Sequence, residues 1–123
     1  MRIRDNVLFC GFNHAVSPVA LKAMRQAIRD LNIRRQTQLS LQDIAQKLNP
    51  LLRGWIAYYG RFAPSALYPL LRYVNQTLVA WAMRKFKRFK RHKIQASQFL
   101  QRLATECVDL LVHWQIGMTG VFA

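Results

Sequence analysis

Acidic residues are nearly missing from this chain. Its 123 residues include 5 Asp+Glu against 19 Lys+Arg, a formal net charge of +14 at pH 7. Intramolecular ion pairs can neutralise few of those cations. Such a surplus repels itself in a small fold and calls for a polyanion, either nucleic acid or an acidic membrane surface. It argues against a small-molecule enzyme working alone. Cysteine is scarcer still: Cys10 and Cys107 are the only two, and they form no C-x-x-C pair. A disulfide scaffold is excluded, and a reduced cytoplasmic protein is a simpler reading than one Cys10–Cys107 bridge. No apolar run approaches the roughly 20 residues a membrane-spanning helix needs. The stretch from Val7 to Phe12 is too short and too polar-flanked for the core of a secretory signal. With 5 glycines in all, no glycine-rich phosphate loop is present. There is no low-complexity tract or internal repeat, and one domain is expected over residues 1–123.

The few acids sit at the two ends. Asp5, Asp30 and Asp43 precede a stretch from Ile44 to Thr105 with no acid at all, and Glu106 and Asp109 follow it. Paired carboxylates for acid–base or two-metal chemistry are therefore missing where most of the chain lies, which argues against polymerase or nuclease activity. The same stretch holds 12 of the 19 basic residues.

What is present has helical spacing. Residues 3–16 look irregular, with Gly11 as a breaker. Ser17-Pro18 then opens a helix, Ser as N-cap and Pro at the first position, with Leu21, Met24, Ile28 and Leu31 on one face and an end near Asn32. Ser40-x-x-Asp43 is a capping-box variant that opens a second helix. Its apolar arc is Leu41, Ile44, Ala45, Leu48, Leu52, Trp55, Ile56 and Tyr59. The arc keeps its phase across Pro50, so the expectation is a kinked helix, or two helices meeting at Asn49-Pro50. A third helix from Pro64-Ser65 carries Leu67, Leu71, Val74, Leu78, Trp81, Ala82, Phe86 and Phe89 on one side, which predicts one long helix. A fourth covers Gln95–Thr105. The apolar segment Cys107–Trp114 is expected as a loop or strand-like cap. The fold class is all-α, a small bundle of about three to four helices with an irregular N-terminal segment and a C-terminal apolar cap.

Two basic surfaces stand out. On the polar side of the second helix, Lys47, Pro50, Arg53, Gly54, Ala57 and Arg61 alternate cations with small residues, a pattern that admits either an RNA backbone or a neighbouring helix. At the expected end of the third helix, Arg84, Lys85, Lys87, Arg88, Lys90, Arg91 and Lys93 put seven cations in ten positions. Cations at a helix C-terminus suit the macrodipole by only about 0.3–1 kcal/mol each, too little to explain seven. Among the aromatics that could stack on bases, Trp55, Tyr58, Tyr59, Phe62 and Tyr68, the apolar arc claims Trp55 and Tyr59, while Tyr58 and Tyr68 are open. Cys10-x3-His14 with Cys107-x5-His113 offers four zinc-type ligands, but the spacing is not that of a knuckle; buried thiols and structural histidines are the simpler reading. No metal site and no cofactor are expected.

Taken together, these segments resemble the maturase-specific region, or domain X, of group II intron reverse transcriptase/maturases, from about Val16 to Gly117. The most specific piece is Leu48-Asn-Pro-Leu-Leu-Arg-Gly-Trp-Ile-Ala-Tyr-Tyr-Gly60, similar to the family's Asn-Pro-x-x-Arg-Gly-Trp-x-x-Tyr-Tyr core. Supporting it are Ser17 with the Ile28-Arg29 helix, Ser40-Leu41-x-x-Ile44-Ala45, Trp81-Ala-x-x-Lys85-Phe-Lys87 and His113-Trp114-x-x-Gly117. Five ordered motifs carry the match; a lone Arg-Gly-Trp would not.

The resemblance implies helices of thumb and domain X that grip intron RNA while the ribozyme splices. Its signature positions here are Asn49, Pro50, Arg53, Gly54, Trp55, Tyr58, Tyr59, His113 and Trp114. The expected RNA-contacting set is Lys47, Arg53, Tyr58, Arg61, Arg84, Lys87, Arg88, Lys90, Arg91 and Lys93. The sequence has no fingers-palm region, no Tyr-Ala-Asp-Asp site and no endonuclease region, so reverse transcription and DNA cleavage do not carry over and no enzymatic activity is expected. The expected partner is structured RNA, a group II intron by resemblance, with Mg2+ entering only through that RNA. A reverse transcriptase core on another chain is a second candidate partner; a membrane is not. The competing readings are an inactive fragment of a retroelement reverse transcriptase and a general basic nucleic-acid-binding module.

Overall fold

A computed structural model describes residues 17–59, 67–119 and 122. Five α-helices follow one another: α1 (Pro18–Asp30), α2 (Leu41–Tyr59), α3 (Tyr68–Lys85), α4 (Lys93–Glu106) and the single-turn α5 (Val112–Gln115). Short 3-10 turns lie at Ile33–Arg35 and Lys87–Phe89. No described residue is in a strand, and the fold is all-α as expected. The irregular segment 3–16 and the expected helix start at Pro64-Ser65 lie outside the described residues.

The first two helices start as their sequences dictate. The Ser17 hydroxyl accepts a bond from the Ala20 N–H at 3.1 Å, and Pro18 fills the first turn, where its missing N–H costs nothing. At α2 the capping box is complete: Asp43 N–H donates to Ser40 Oγ at 3.2 Å and Ser40 N–H to Asp43 Oδ2 at 3.1 Å. Asn32 closes α1 in the left-handed region at φ 53°, a conformation Asn tolerates better than most residues.

The middle helix is the hub. Both α1 and α4, and the turn at Ile33–Arg35, pack against α3. That is why it buries residues around most of its circumference: Leu70, Leu71, Val74, Asn75, Leu78, Val79, Trp81 and Ala82. From α2, Ile44, Leu48 and Leu52 are fully buried and join the same core with Ile28, Leu100 and Trp114. Each such side chain contributes about 1.5–3 kcal/mol of transfer free energy.

Three elements decide between the sequence-based expectations or depart from them. First, of the two arrangements expected at Pro50, α2 is one helix of 19 residues and not two helices. Pro50 and Gln46, whose carbonyl loses its usual partner, both face solvent, so water can take over the missing bond. Second, α3 stops at Lys85 instead of continuing to Phe89. Phe86 is extended (φ −105°, ψ 119°), and its ring meets Phe89 and Phe99 of α4 edge-on at 5.9 and 5.7 Å. The three-residue spacing of Phe86 and Phe89 suits a 3-10 turn as well as an α-helix, so periodicity alone misread it. Third, the end of the Cys107–Trp114 segment is helical, where a loop or strand-like cap was expected. The N-terminus of α5 is capped from another helix, Asn49 Oδ1 accepting from the Val112 N–H at 3.0 Å. Its end is a Schellman motif: Gly117 N–H bonds Trp114 O and Met118 N–H bonds His113 O, both at 3.1 Å, around Gly117 at φ 101°.

Candidate nucleic-acid interface

On the outer face of α2, Lys47, Pro50, Arg53, Gly54 and Ala57 are all exposed, and Tyr58 is 72% exposed. A Cβ built on Gly54 meets nothing within 4 Å, so among the described residues no helix packs there. Of the two sequence readings, the neighbouring helix is the one left without support. The Tyr58 and Tyr59 rings meet in a T-shaped contact at 4.7 Å. Trp55 and Tyr59 pack partly buried against the core, as the apolar arc implied. Arg61 and Phe62 lie outside the described residues. Tyr68 is 43% exposed at the start of α3.

The second basic surface changes character. Only Arg84 and Lys85 occupy the last turn of α3. Lys87, Arg88, Lys90 and Arg91 lie on the link to α4, and Lys93 begins α4, at the positive end of a helix dipole where a cation is disfavoured. The expected basic helix end is therefore a bend, closed by Arg91 at φ 66°. Arg84, Lys87, Arg88, Lys90, Arg91 and Lys93 are exposed. None of them is within ion-pair reach of a carboxylate among the described residues.

Two members of the cluster have further tasks. The Arg88 guanidinium lies over Phe89 at 4.7 Å, Phe99 at 5.2 Å and Phe86 at 5.6 Å, stacked on the ring cluster that holds the bend. Lys85 is half-buried and turns back to the α1–α2 connector, its Nζ donating to Thr37 O at 3.0 Å and Leu39 O at 2.7 Å. One turn earlier, Trp81 Nε1 donates to Gln36 O at 3.1 Å. These three bonds fix the connector across the end of α3. As a result Arg35 and Thr37 share a cleft of about 550 Å³ with Met83, Arg84, Lys87 and Lys90. Arg35 is absent from the sequence-derived set; its only signal was a charge in a short connector, 49 residues before Arg84 in the chain.

The remaining signature residues are buried or partly buried and build the frame. Asn49 bridges α2 to the C-terminal segment, its Nδ2 donating to Leu110 O at 3.0 Å while its Oδ1 caps α5. The fully buried Asn75 of α3 donates to Met118 O at 3.0 Å, and its Oδ1 faces Trp114 Nε1 at 3.1 Å and His113 Nε2 at 2.6 Å. With the amide so oriented His113 must donate from Nε2, which leaves Nδ1 buried with no partner. Burial pushes the His113 pKa from 6.5 to about 3, and the ring is neutral. His113 is thus a structural histidine, whereas Cys107, expected as a buried thiol, is exposed. Cys10 and His14 lie outside the described residues. Among the described residues no three His, Cys, Asp or Glu side chains are grouped to hold a metal ion.

No helix among the described residues is long and apolar enough to cross a membrane. The surface offers exposed N–H donors and positive charge, the chemistry that takes phosphate oxygens. Residues 21–99 match the family model described as group II intron, maturase-specific domain, a span from α1 through the middle of α4. Searches of curated proteins and of solved structures find no significant match. The match covers more than half of the chain, and both exposed basic faces fall within it: the chain belongs to the group II intron maturase-specific domain family.

Proposed function

We propose that this chain binds the RNA of a group II intron and stabilises the fold in which the RNA splices itself. The supporting observation is the set of exposed cations at the bend after α3, without carboxylate partners among the described residues, inside a region with this family's pattern. A protein that binds the active RNA fold more tightly than inactive ones shifts the population toward it without doing chemistry. The transesterification steps and the Mg2+ they use belong to the RNA. The protein's share is the phosphate grip at the bend, with Lys47, Arg53 and Tyr58 of α2 as a second contact.

The test is a titration against a group II intron RNA, an unrelated structured RNA and duplex DNA over a salt series, with splicing assayed in parallel. Preference for the intron together with faster splicing is the expected result. Preference without faster splicing would mark an inactive fragment of a reverse transcriptase. Equal binding to all three, with a log–log salt slope near −0.9 per phosphate neutralised on the duplex, would leave only a general polycation.

A further inference from the structure

A second cleft, of about 310 Å³, opens on the other part of the α1–α2 connector, between α1 and the middle of α3. Its floor is Ile28 and Ile33, and its charged lining is Arg29, Arg34 and Arg35. Arg35 lines this cleft and the one holding Arg84, Lys87 and Lys90. We propose that the two clefts form one continuous seat for the sugar–phosphate backbone of the RNA, with Arg35 at its centre. The proposal rests on the RNA-binding reading above and places its grip on the connector.

Four observations carry it. The cations are Arg29, Arg34, Arg35, Arg84, Lys87 and Lys90, all exposed, drawn from two segments far apart in the chain. Neither lining includes a carboxylate, so an anion entering the seat meets no repulsion there. Arg29 is already oriented, its Nε–H donating to the Tyr73 hydroxyl at 3.3 Å, which leaves its terminal N–H groups available. The seat is also pre-formed. The connector bonds to itself, from Arg35 N–H to Asn32 O at 3.1 Å and from Gln36 N–H to Ile33 O at 2.9 Å, and Trp81 and Lys85 tie it to α3. A rigid connector loses little freedom when the RNA arrives. A seat that spans two clefts suits a run of successive phosphates better than a single free anion, and arginine's planar fork suits phosphate oxygens.

The test compares R34Q/R35Q with K22Q/R102Q, which removes the same charge at exposed positions outside both clefts. Each is titrated against a group II intron RNA over a salt series, and thermal melts by circular dichroism check the fold. The expected result is a loss of at least about tenfold in affinity for R34Q/R35Q, a salt slope flatter by about 1.5, and unchanged melting. The control should lose far less. R34K/R35K should recover the slope, since it keeps the charge. Equal losses in the two double variants, or no loss in R34Q/R35Q, would overturn the seat. If R34Q/R35Q melts early, R35Q alone decides by the same comparison. If the unmodified chain shows no preference for the intron, the functional reading fails, while the variant comparison still locates the grip.

Discussion

Polar groups meet opposite fates at the two sides of α3. Toward α5, Asn75, His113 and Trp114 are sealed from water, and their bonds run to one another and to the Met118 carbonyl. Toward the connector, Arg34, Arg35, Arg84, Lys87 and Lys90 are exposed and have no carboxylate partner among the described residues. Burying a polar group costs least when its partners are supplied from within the protein, as they are in this node for every side-chain polar atom but His113 Nδ1; an exposed cation keeps its free energy in water and can exchange that water for a phosphate. The signature residues divide along this line. Asn49, His113 and Trp114 hold elements together, while Arg53, Gly54 and Tyr58 face solvent. Membership of a motif therefore says little about contact with RNA.

The largest expected effect tests the sealed side. N75A strands the His113 and Trp114 donors and leaves a cavity, which should cost roughly 3 kcal/mol or more. A urea melt measures this, and a change under about 1 kcal/mol would mean the node is not as closed as its burial indicates.

Acid comes next. The folded chain protonates His113 only near pH 3, whereas the unfolded chain does so at 6.5. Between those values the unfolded state binds the extra proton, so stability falls as pH drops below 6.5 and levels off below 3. The slope approaches about 1.4 kcal/mol per pH unit, so urea midpoints at pH 5 should correspond to a loss of roughly 2 kcal/mol relative to pH 7. The contribution from His113 should vanish in H113Q.

A smaller change should uncouple the connector. K85M deletes two bonds to the Thr37 and Leu39 carbonyls, with an expected loss of about 1–2 kcal/mol in a thermal melt. Intron affinity should drop by more than in K22Q, although each variant removes one charge, because the seat loses its support. Equal losses would show that Lys85 acts as a charge alone. The smallest effect runs the other way. R91G relieves the left-handed backbone at φ 66° and should raise stability by about 0.5–1 kcal/mol while weakening RNA binding. The two readouts moving in opposite directions would separate the frame from the grip at a single position.

Much of the frame was legible in the amino-acid order because its signals are local. Ser17-Pro18 and the Ser40–Asp43 box are caps whose partners lie three residues away, and the apolar arcs of α1 and α2 follow from a 3.6-residue period. Where the reading failed, the deciding partner was remote. Phe86 leaves the helix because Phe99 of α4 receives it, and α5 forms because Asn49 caps it from 63 residues away. At Pro50, where one kinked helix and two helices were both open, the single helix persists because the bond that proline removes falls on the solvent side. The exposed half of the interface, Arg84 to Lys93, was visible as a run of charge, yet its geometry was not.

The sequence by itself determined that this chain carries +14 in 123 residues with an acid-free centre, that it is helical, and that its motifs are those of a group II intron maturase-specific domain. Charge surplus and helical period depend on composition and near neighbours. The tertiary structure alone decided which signature residues are buried, and that Arg35 and Arg84 line one cleft. Residues far apart in the chain share a surface only when packing and a few directed bonds, here those of Trp81 and Lys85 to the connector, hold their backbones in place.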